Sequence, residues 1–213
     1  VVDHPRLGKL LLFDPTSTLT PFGQLPESLQ ASRGLLVTPD GGELIDLPAL
    51  PADVNQLHRV AKLQLDVQGT LTGTVEEVRS GNMAVSMRAL LQSLNAAERI
   101  RSIESGLASH LAISTADHVS IEYLDEPESD LVIRYNITAP NYAKRVADMM
   151  LVRPRVLGQK AETLVELKRT YPYVTEGPSL NSDEVEIRMP PSAKLDATNR
   201  AAGAPWRLRI GQA

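Results

Sequence analysis

The stretch LQLDVQGTLTGTV, residues 63–75, decides the fold of this chain. Apolar residues alternate with polar residues as far as Gln68-Gly69, and the alternation then resumes along a segment rich in threonine. A period of two places successive side chains on opposite faces of a β-strand. Threonine suits such a pleated surface. The pattern therefore predicts an antiparallel hairpin, within residues 57–79, that has one solvated face.

The apolar period becomes helical directly after this hairpin. Apolar residues follow helical spacing between Met83 and Leu94, which predicts a first helix. Asn95 is followed three residues later by Glu98, a spacing that resembles a capping box with asparagine in place of serine or threonine. A second helix should therefore begin at Asn95. The apolar face of this second helix comprises Ile100, Ile103, Leu107 and Leu111.

Further strands are predicted on both sides of the helices. Residues 33–47 form two apolar runs around a PDGG sequence, whose glycines can supply the positive φ of a tight turn. Because strands and helices fall into separate groups, we expect an α+β fold with a mainly antiparallel β-sheet and a two-helix insertion. The remaining strand candidates are residues 117–124, 130–138, 144–152, 163–170 and 184–189.

Breaks in these patterns suggest how the chain is organised. Residues 9–14, KLLLFD, are predicted to form a buried strand that Pro15 closes. The C-terminal residues lose both periodicities, and Trp206 is the only one expected to dock on the fold. We divide the chain into residues 1–48, a Pro-rich linker at 49–56, an α+β domain at 57–190 and an irregular tail at 191–213.

The composition of the 213 residues excludes several classes of function. The chain has no cysteine, so it can form no disulfide, no thiolate metal site and no cysteine nucleophile of its own. Its net charge is −4, and only 4% of its residues are aromatic, which argues against a nucleic-acid interface. No apolar run approaches the roughly 20 residues of a membrane span.

Asp14 is the first candidate functional residue. It ends the apolar run and opens the sequence DPTSTLTPFGQLP, residues 14–26. One interpretation is structural, because Asp-Pro-Thr at the end of a strand is common turn chemistry in which the aspartate accepts nearby N–H groups. The other interpretation makes Asp14 a catalytic carboxylate. Its neighbours in the sequence favour the second.

The sequence around Asp14 resembles the segment that carries the third catalytic residue of transglutaminase-like proteins. In that superfamily a cysteine attacks an amide or peptide carbonyl, a histidine acts as base, and an aspartate in a D-P-T-like motif orients the histidine. Residues 4–48 are similar to one bacterial branch, in which domains of unassigned function flank a transglutaminase-like core. Residues 63–75 and 171–190 resemble the C-terminal module of that branch, whereas the tail beyond 191 departs from it.

This resemblance implies that the chain is a C-terminal accessory part of a Cys-His-Asp amide- or peptide-bond enzyme. Residues 1–48 would then be a remnant strand and hairpin of the catalytic core, with Asp14 as the catalytic residue. His4 lies in a loop-like stretch and is interpreted as exposed rather than as the base. We therefore expect the chain alone to be inactive, with an upstream catalytic core and a protein or peptide substrate as partners. The resemblance also favours the bacterial periplasm or cell envelope.

A non-catalytic binding or structural module is the alternative. Tyr171 and Tyr173 would lie on one face of a strand, and Pro172 between them would confine that strand to an edge of the sheet. In this interpretation the two tyrosines form the recognition surface. Tyr135 and Tyr142 belong to the same group of aromatic residues.

We expect neither a metal site nor a cofactor. The spacing of His58, His110 and His118 fits no tight ligand motif, and we interpret them as surface or helix-end histidines. The acidic sequence LDEPESD, residues 124–130, could hold calcium but lacks the EF-hand pattern. We interpret it as a solvated turn.

Overall fold

The computed structural model describes residues 1–108, 111, 114–147, 149–153, 155–158, 177–191, 193 and 206–212. In chain order its strands are β1 (Val2–His4), β2 (Gly8–Leu10), β3 (Arg33–Thr38), β4 (Gly41–Asp46), β5 (Gln56–Leu65), β6 (Leu71–Arg79), β7 (Thr115–Glu122), β8 (Leu131–Ala139), β9 (Lys144–Val146), β10 (Met149–Leu151), β11 (Leu180–Arg188) and β12 (Trp206–Gln212). Its α-helices are α1 (Gly81–Gln92) and α2 (Ala96–Ala108), both between β6 and β7.

The main sheet has six strands in the order β12-β11-β5-β6-β8-β7. Every neighbouring pair is antiparallel except β11 and β5, which are parallel. Three further two-stranded sheets pair β1 with β2, β3 with β4, and β9 with β10. The predicted α+β class, with antiparallel pairing dominant and two helices inserted between strands, is confirmed.

The hairpin that the sequence predicts at residues 63–75 is the centre of the sheet. β5 and β6 pair in register from Leu57 and Arg79 to Leu65 and Leu71. Gly69 is required in their turn, because its φ is +90° and a Cβ there would lie 2.5 Å from the carbonyl oxygen of Ala143. The connection is therefore specified by both turn conformation and close packing.

Both predicted helices form, although Leu94 and Leu111 lie beyond their C-terminal ends. At the start of α2, the Glu98 N–H donates to Asn95 Oδ1 at 3.0 Å, and the Asn95 N–H donates to Glu98 Oε2 at 2.9 Å. This reciprocal pair is a capping box. Leu91 of α1 and Leu107 of α2 are buried in the same core as the strand residues. The helices thus cover the apolar face of the sheet.

That apolar face, called the inner face below, consists of alternate residues of adjacent strands. It includes Ala61, Leu63, Leu65, Leu71, Val75, Ile133, Ile137, Val185 and Ile187. The opposite, outer face carries polar side chains such as Glu76 and Arg134, whose carboxylate and guanidinium are 2.6 Å apart. The single solvated face expected of this sheet is therefore present.

One end of the inner face is polar rather than apolar. Arg59 and Asp183 form an ion pair there, and Arg79 pairs with Glu77 at 2.6 Å. The hydroxyl of Tyr135 donates to Glu77 Oε1 at 2.7 Å. Burial, and after it the charge of Glu77, raises the pKa of Tyr135, so the phenol stays protonated. The buried charges are therefore paired within the fold.

β7 lies at one border of the sheet, and its pairing with β8 is interrupted. Two residues, His118 and Val119, lie opposite one residue of β8, and His118 has a φ of +49°. This is a β-bulge, and it bends the strand. Near the start of β7, the N–H of Ala116 donates to Glu104 Oε1 of α2 at 3.0 Å. The Glu104 side chain thus accepts a backbone hydrogen bond that an added strand would otherwise take.

The N-terminal strand prediction is wrong in its extent. Residues 9–14 do not form one buried strand, because pairing with β1 ends at Leu10. Leu11 and Phe13 are 49% and 50% exposed. β1 has only three residues, so it cannot pair with the whole apolar run. An apolar run without alternation does not show where its partner strand ends.

Two C-terminal predictions also need correction. Residues 144–152 form two short strands, β9 and β10, rather than one. The tail is not irregular throughout, since Trp206–Gln212 pairs antiparallel with β11 over its full length. β9 and β10 have only three residues each, too few to show where one strand ends and the next begins. The candidate at 163–170 lies outside the described residues.

Candidate functional site

Asp14 lies in an irregular segment four residues beyond the end of β2. Its Oδ1 atom accepts hydrogen bonds from the N–H of Thr16 at 2.9 Å and from Thr16 Oγ1 at 2.7 Å. These bonds lower the pKa of Asp14, the hydroxyl contributing more than the N–H. Within the described part of the chain Oδ2 takes no hydrogen bond. The carboxylate is therefore oriented, ionised at neutral pH and free on one oxygen.

Exposed aromatic residues flank Asp14. The rings of Phe13 and Phe22 contact each other with centroids 5.2 Å apart, and the two residues are 50% and 63% exposed. The N–H of Phe22 donates to Glu128 Oε1 at 2.9 Å, which ties this loop to the turn between β7 and β8. The Asp14 loop is thus attached to the main domain and presents apolar surface beside a carboxylate.

His4 is buried, so the expectation that it is exposed is wrong. It retains 5% of its accessible surface and lies at the end of β1. Its Nδ1 accepts the N–H groups of Arg6 at 3.2 Å and Leu7 at 3.1 Å, while Nε2 lies 3.2 Å from Glu43 Oε2. This hydrogen-bond pattern assigns the ring proton to Nε2. With both nitrogens engaged, His4 holds a turn and is not placed to act as a base.

Glu43 joins the two N-terminal hairpins. Besides the imidazole of His4, its carboxylate accepts from Arg6 Nη2 at 3.0 Å. The bond from Arg6, followed by that from His4, lowers the pKa of Glu43. The β1-β2 hairpin is therefore held against the β3-β4 hairpin by charged hydrogen bonds.

The histidines do not form a metal site among the described residues. His58 is on β5 and His118 is on β7, and two strands of the sheet separate them. His118 is exposed in the β-bulge, and His110 lies outside the described residues. In the described ranges no three His, Cys, Asp or Glu side chains are grouped so that they could hold a metal ion.

The carboxylates of the acidic turn point to different partners. Glu128 accepts from Phe22, Asp125 accepts from Gln92 Nε2 at 3.0 Å, and Glu126 accepts from Ser129. Arg88 of α1 holds the backbone of this turn, because its buried guanidinium donates to carbonyl oxygens of Tyr123 and Ser129. These contacts hold the turn in place and engage its carboxylates with separate partners.

Of the four tyrosines grouped in the sequence, the structure describes two. Tyr171 and Tyr173 lie outside the described residues. Tyr135 and Tyr142 are buried and belong to the core, so they offer no recognition surface. Burial raises the pKa of Tyr142 to about 12, and its hydroxyl donates to the carbonyl oxygen of Arg153.

The outer face of the sheet carries a polar pair, His58 and Ser182, that no sequence motif indicates. His58 Nδ1 and Ser182 Oγ are 2.7 Å apart although 124 residues separate them. A serine beside an imidazole is the arrangement of a nucleophile and its base. On the inner face of the same two strands, Arg59 and Asp183 are also paired. We interpret the His58–Ser182 bond as one half of a two-sided link between parallel β5 and β11.

No described helix is long and apolar enough to cross a membrane. Comparison of the chain with protein-family models, with curated proteins and with solved structures finds no match.

Proposed function

We propose that this chain supplies the aspartate of a Cys-His-Asp centre that acts on amide or peptide bonds, as a protease or an acyltransferase. Asp14 is the aspartate in this proposal. The cysteine and the histidine belong to a catalytic core outside these 213 residues, because the chain contains no cysteine and His4 is occupied. The chain alone is then an accessory part without activity.

The single observation that carries the proposal is the geometry of Asp14. Thr16 holds one carboxylate oxygen through two hydrogen bonds, and the other oxygen is open to an incoming imidazole N–H. A carboxylate in this role fixes the tautomer of the histidine and stabilises the imidazolium that forms during catalysis. The lowered pKa of Asp14 keeps the required negative charge at neutral pH.

The experiment joins the chain to the segment that carries the cysteine and histidine and measures amide hydrolysis. Asp14→Asn keeps the shape of the side chain and removes its charge, so we expect kcat/KM to fall by about 10³–10⁴-fold. Asp40→Ala is the matched control, since Asp40 lies in the exposed turn of the β3-β4 hairpin. Equal activity of the Asp14→Asn and unaltered proteins rejects the assignment.

A second candidate is a binding or structural module in which Asp14 only closes a turn. The bonds from Thr16 favour this candidate as well, because an aspartate that accepts a hydrogen bond two residues later forms an ordinary Asx-turn. In that case Asp14→Asn changes local stability and leaves hydrolysis by the longer polypeptide unchanged. The recognition surface is then assigned to Tyr171 and Tyr173.

A further inference from the structure

The β3-β4 hairpin exposes an apolar face. On this face, called the hairpin face below, Leu35, Val37 and Leu44 are 64%, 75% and 66% exposed. Leu36 and Ile45 point to the opposite side and are partly buried. A hairpin of two strands is marginally stable in water unless something covers its apolar face. A partner that covers the hairpin face would therefore stabilise the hairpin.

The register of the hairpin places the residues of this face in three rows. Arg33 lies opposite Asp46, Leu35 opposite Leu44, and Val37 opposite Gly42. The guanidinium of Arg33 and the carboxylate of Asp46 are 3.5 Å apart and remain 74% and 91% exposed. Each row thus pairs side chains of complementary charge, character or size across the two strands.

We propose that the hairpin face binds the same face of a second copy of this chain. A two-fold axis parallel to the strands, between two such faces, places β3 of one copy over β4 of the other. Arg33 then meets Asp46 of the second copy, and Leu35 meets Leu44. Val37 lies over Gly42 of the second copy and meets its Leu35, whose Cδ1 would lie 3.2 Å from a Cβ at Gly42. The pattern is self-complementary, as an isologous interface requires.

The charge and the area of the hairpin face both limit how a second copy of the chain can bind. The face carries one positive residue, Arg33, and one negative residue, Asp46, so the two charges oppose no like charge when two such faces meet in this register. Its three large apolar side chains form a patch of at most a few hundred Å². Stable interfaces bury about 800 Å² on each partner, so we expect a weak dimer that forms only at high protein concentration.

The first experiment is sedimentation velocity of the full chain over a concentration series from low micromolar to millimolar. We expect a monomer–dimer equilibrium in the unaltered protein. Leu44→Lys places a charge in the apolar row and should raise Kd about tenfold or more. Leu90→Lys is the matched control, because Leu90 is a 44% exposed leucine on α1. A monomer at every concentration, or a dimer that Leu44→Lys does not weaken, overturns the proposal.

A second experiment depends on charge and does not alter the apolar rows. Arg33→Asp and Asp46→Arg are each expected to weaken self-association, because each places like charges opposite each other in the dimer. An equimolar mixture of the two variants restores both opposite-charge pairs between chains and should form a heterodimer. Since the pair within each variant chain stays mismatched, contacts within one chain cannot produce this rescue. A mixture that associates no better than either variant overturns the pairing. Neither of these experiments tests the catalytic role proposed for Asp14.

Discussion

Arg59 and Asp183 are 124 residues apart in the sequence, yet Arg59 Nε lies 2.6 Å from Asp183 Oδ1 and Nη2 lies 3.1 Å from Oδ2. The two side chains are only 12% and 8% exposed. They join the only parallel pair of neighbouring strands in the described sheet, β11 and β5. Because the guanidinium binds both carboxylate oxygens, the pair fixes the register of β11 on β5, which no tight turn connects.

Removal of one partner of this pair should destabilise the fold. Asp183→Ala leaves the Arg59 guanidinium buried and unpaired, and we expect it to lower the free energy of unfolding by about 3–5 kcal/mol. Arg188→Ala is the control, because the pair of Arg188 with Glu186 is exposed at the arginine and should contribute less than about 1 kcal/mol. Urea denaturation measures both. A loss of less than 1 kcal/mol in Asp183→Ala contradicts the prediction.

Gly158 should tolerate no side chain. Its φ is +74°, and a Cβ there would lie 2.4 Å from Asp183 Oδ2 and 2.8 Å from Arg59 Nη2. We therefore expect Gly158→Ala to destabilise the chain by about 1–3 kcal/mol. Among the described residues, a Cβ at Gly106 of α2 meets no atom within 4 Å outside the backbone of its own helix, so Gly106→Ala should instead stabilise the helix by about 0.5–1 kcal/mol. Thermal unfolding of the two variants tests the opposite signs.

The titration of Asp14 should depend on Thr16. The pKa of Asp14 lies below its ordinary value of 3.8, so the carboxylate stabilises the folded chain above that pH and loses this contribution as pH falls through the folded-state pKa. Thr16→Val removes the hydroxyl donor and should return the pKa toward 3.8. Carboxyl ¹³C NMR follows the titration. Thr18→Val is the control, and an unchanged pKa in Thr16→Val would refute the assigned cause.

The capping box should contribute measurably to α2. Asn95→Ala removes the acceptor of the Glu98 N–H, and we expect a loss of about 1 kcal/mol in the free energy of unfolding. Glu98→Gln keeps a side-chain acceptor for the Asn95 N–H and should cost less. If the two variants unfold at the same urea concentration as the unaltered chain, the box does not stabilise the helix.

Local patterns explain which parts of the fold could be predicted. The turn of the β5-β6 hairpin and the start of α2 depend on residues that are close in the sequence, and their alternation, turn glycine and cap are visible there. The parallel pairing of β11 with β5 depends on contacts such as Arg59–Asp183, whose partners are far apart in the chain. No periodicity carries that information.

The candidate site shows the same limit. Thr16 is two residues from Asp14, so the Asp-Pro-Thr sequence already indicates the turn that holds the carboxylate. His4 is buried and bonded to Glu43, 39 residues away on another hairpin, whereas its sequence context indicates only a loop. The same holds for the His58–Ser182 pair, which exists only because two distant strands align.

The bulge at His118 and the bond from Ala116 to Glu104 have a consequence for association in the cell. An exposed strand at the border of a sheet is a template on which other chains can add strands and aggregate. Here the border strand is kinked, and one of its backbone donors is already occupied by a helix carboxylate. Growth of the sheet into fibrils from this border would require that bond to break and the kink to flatten.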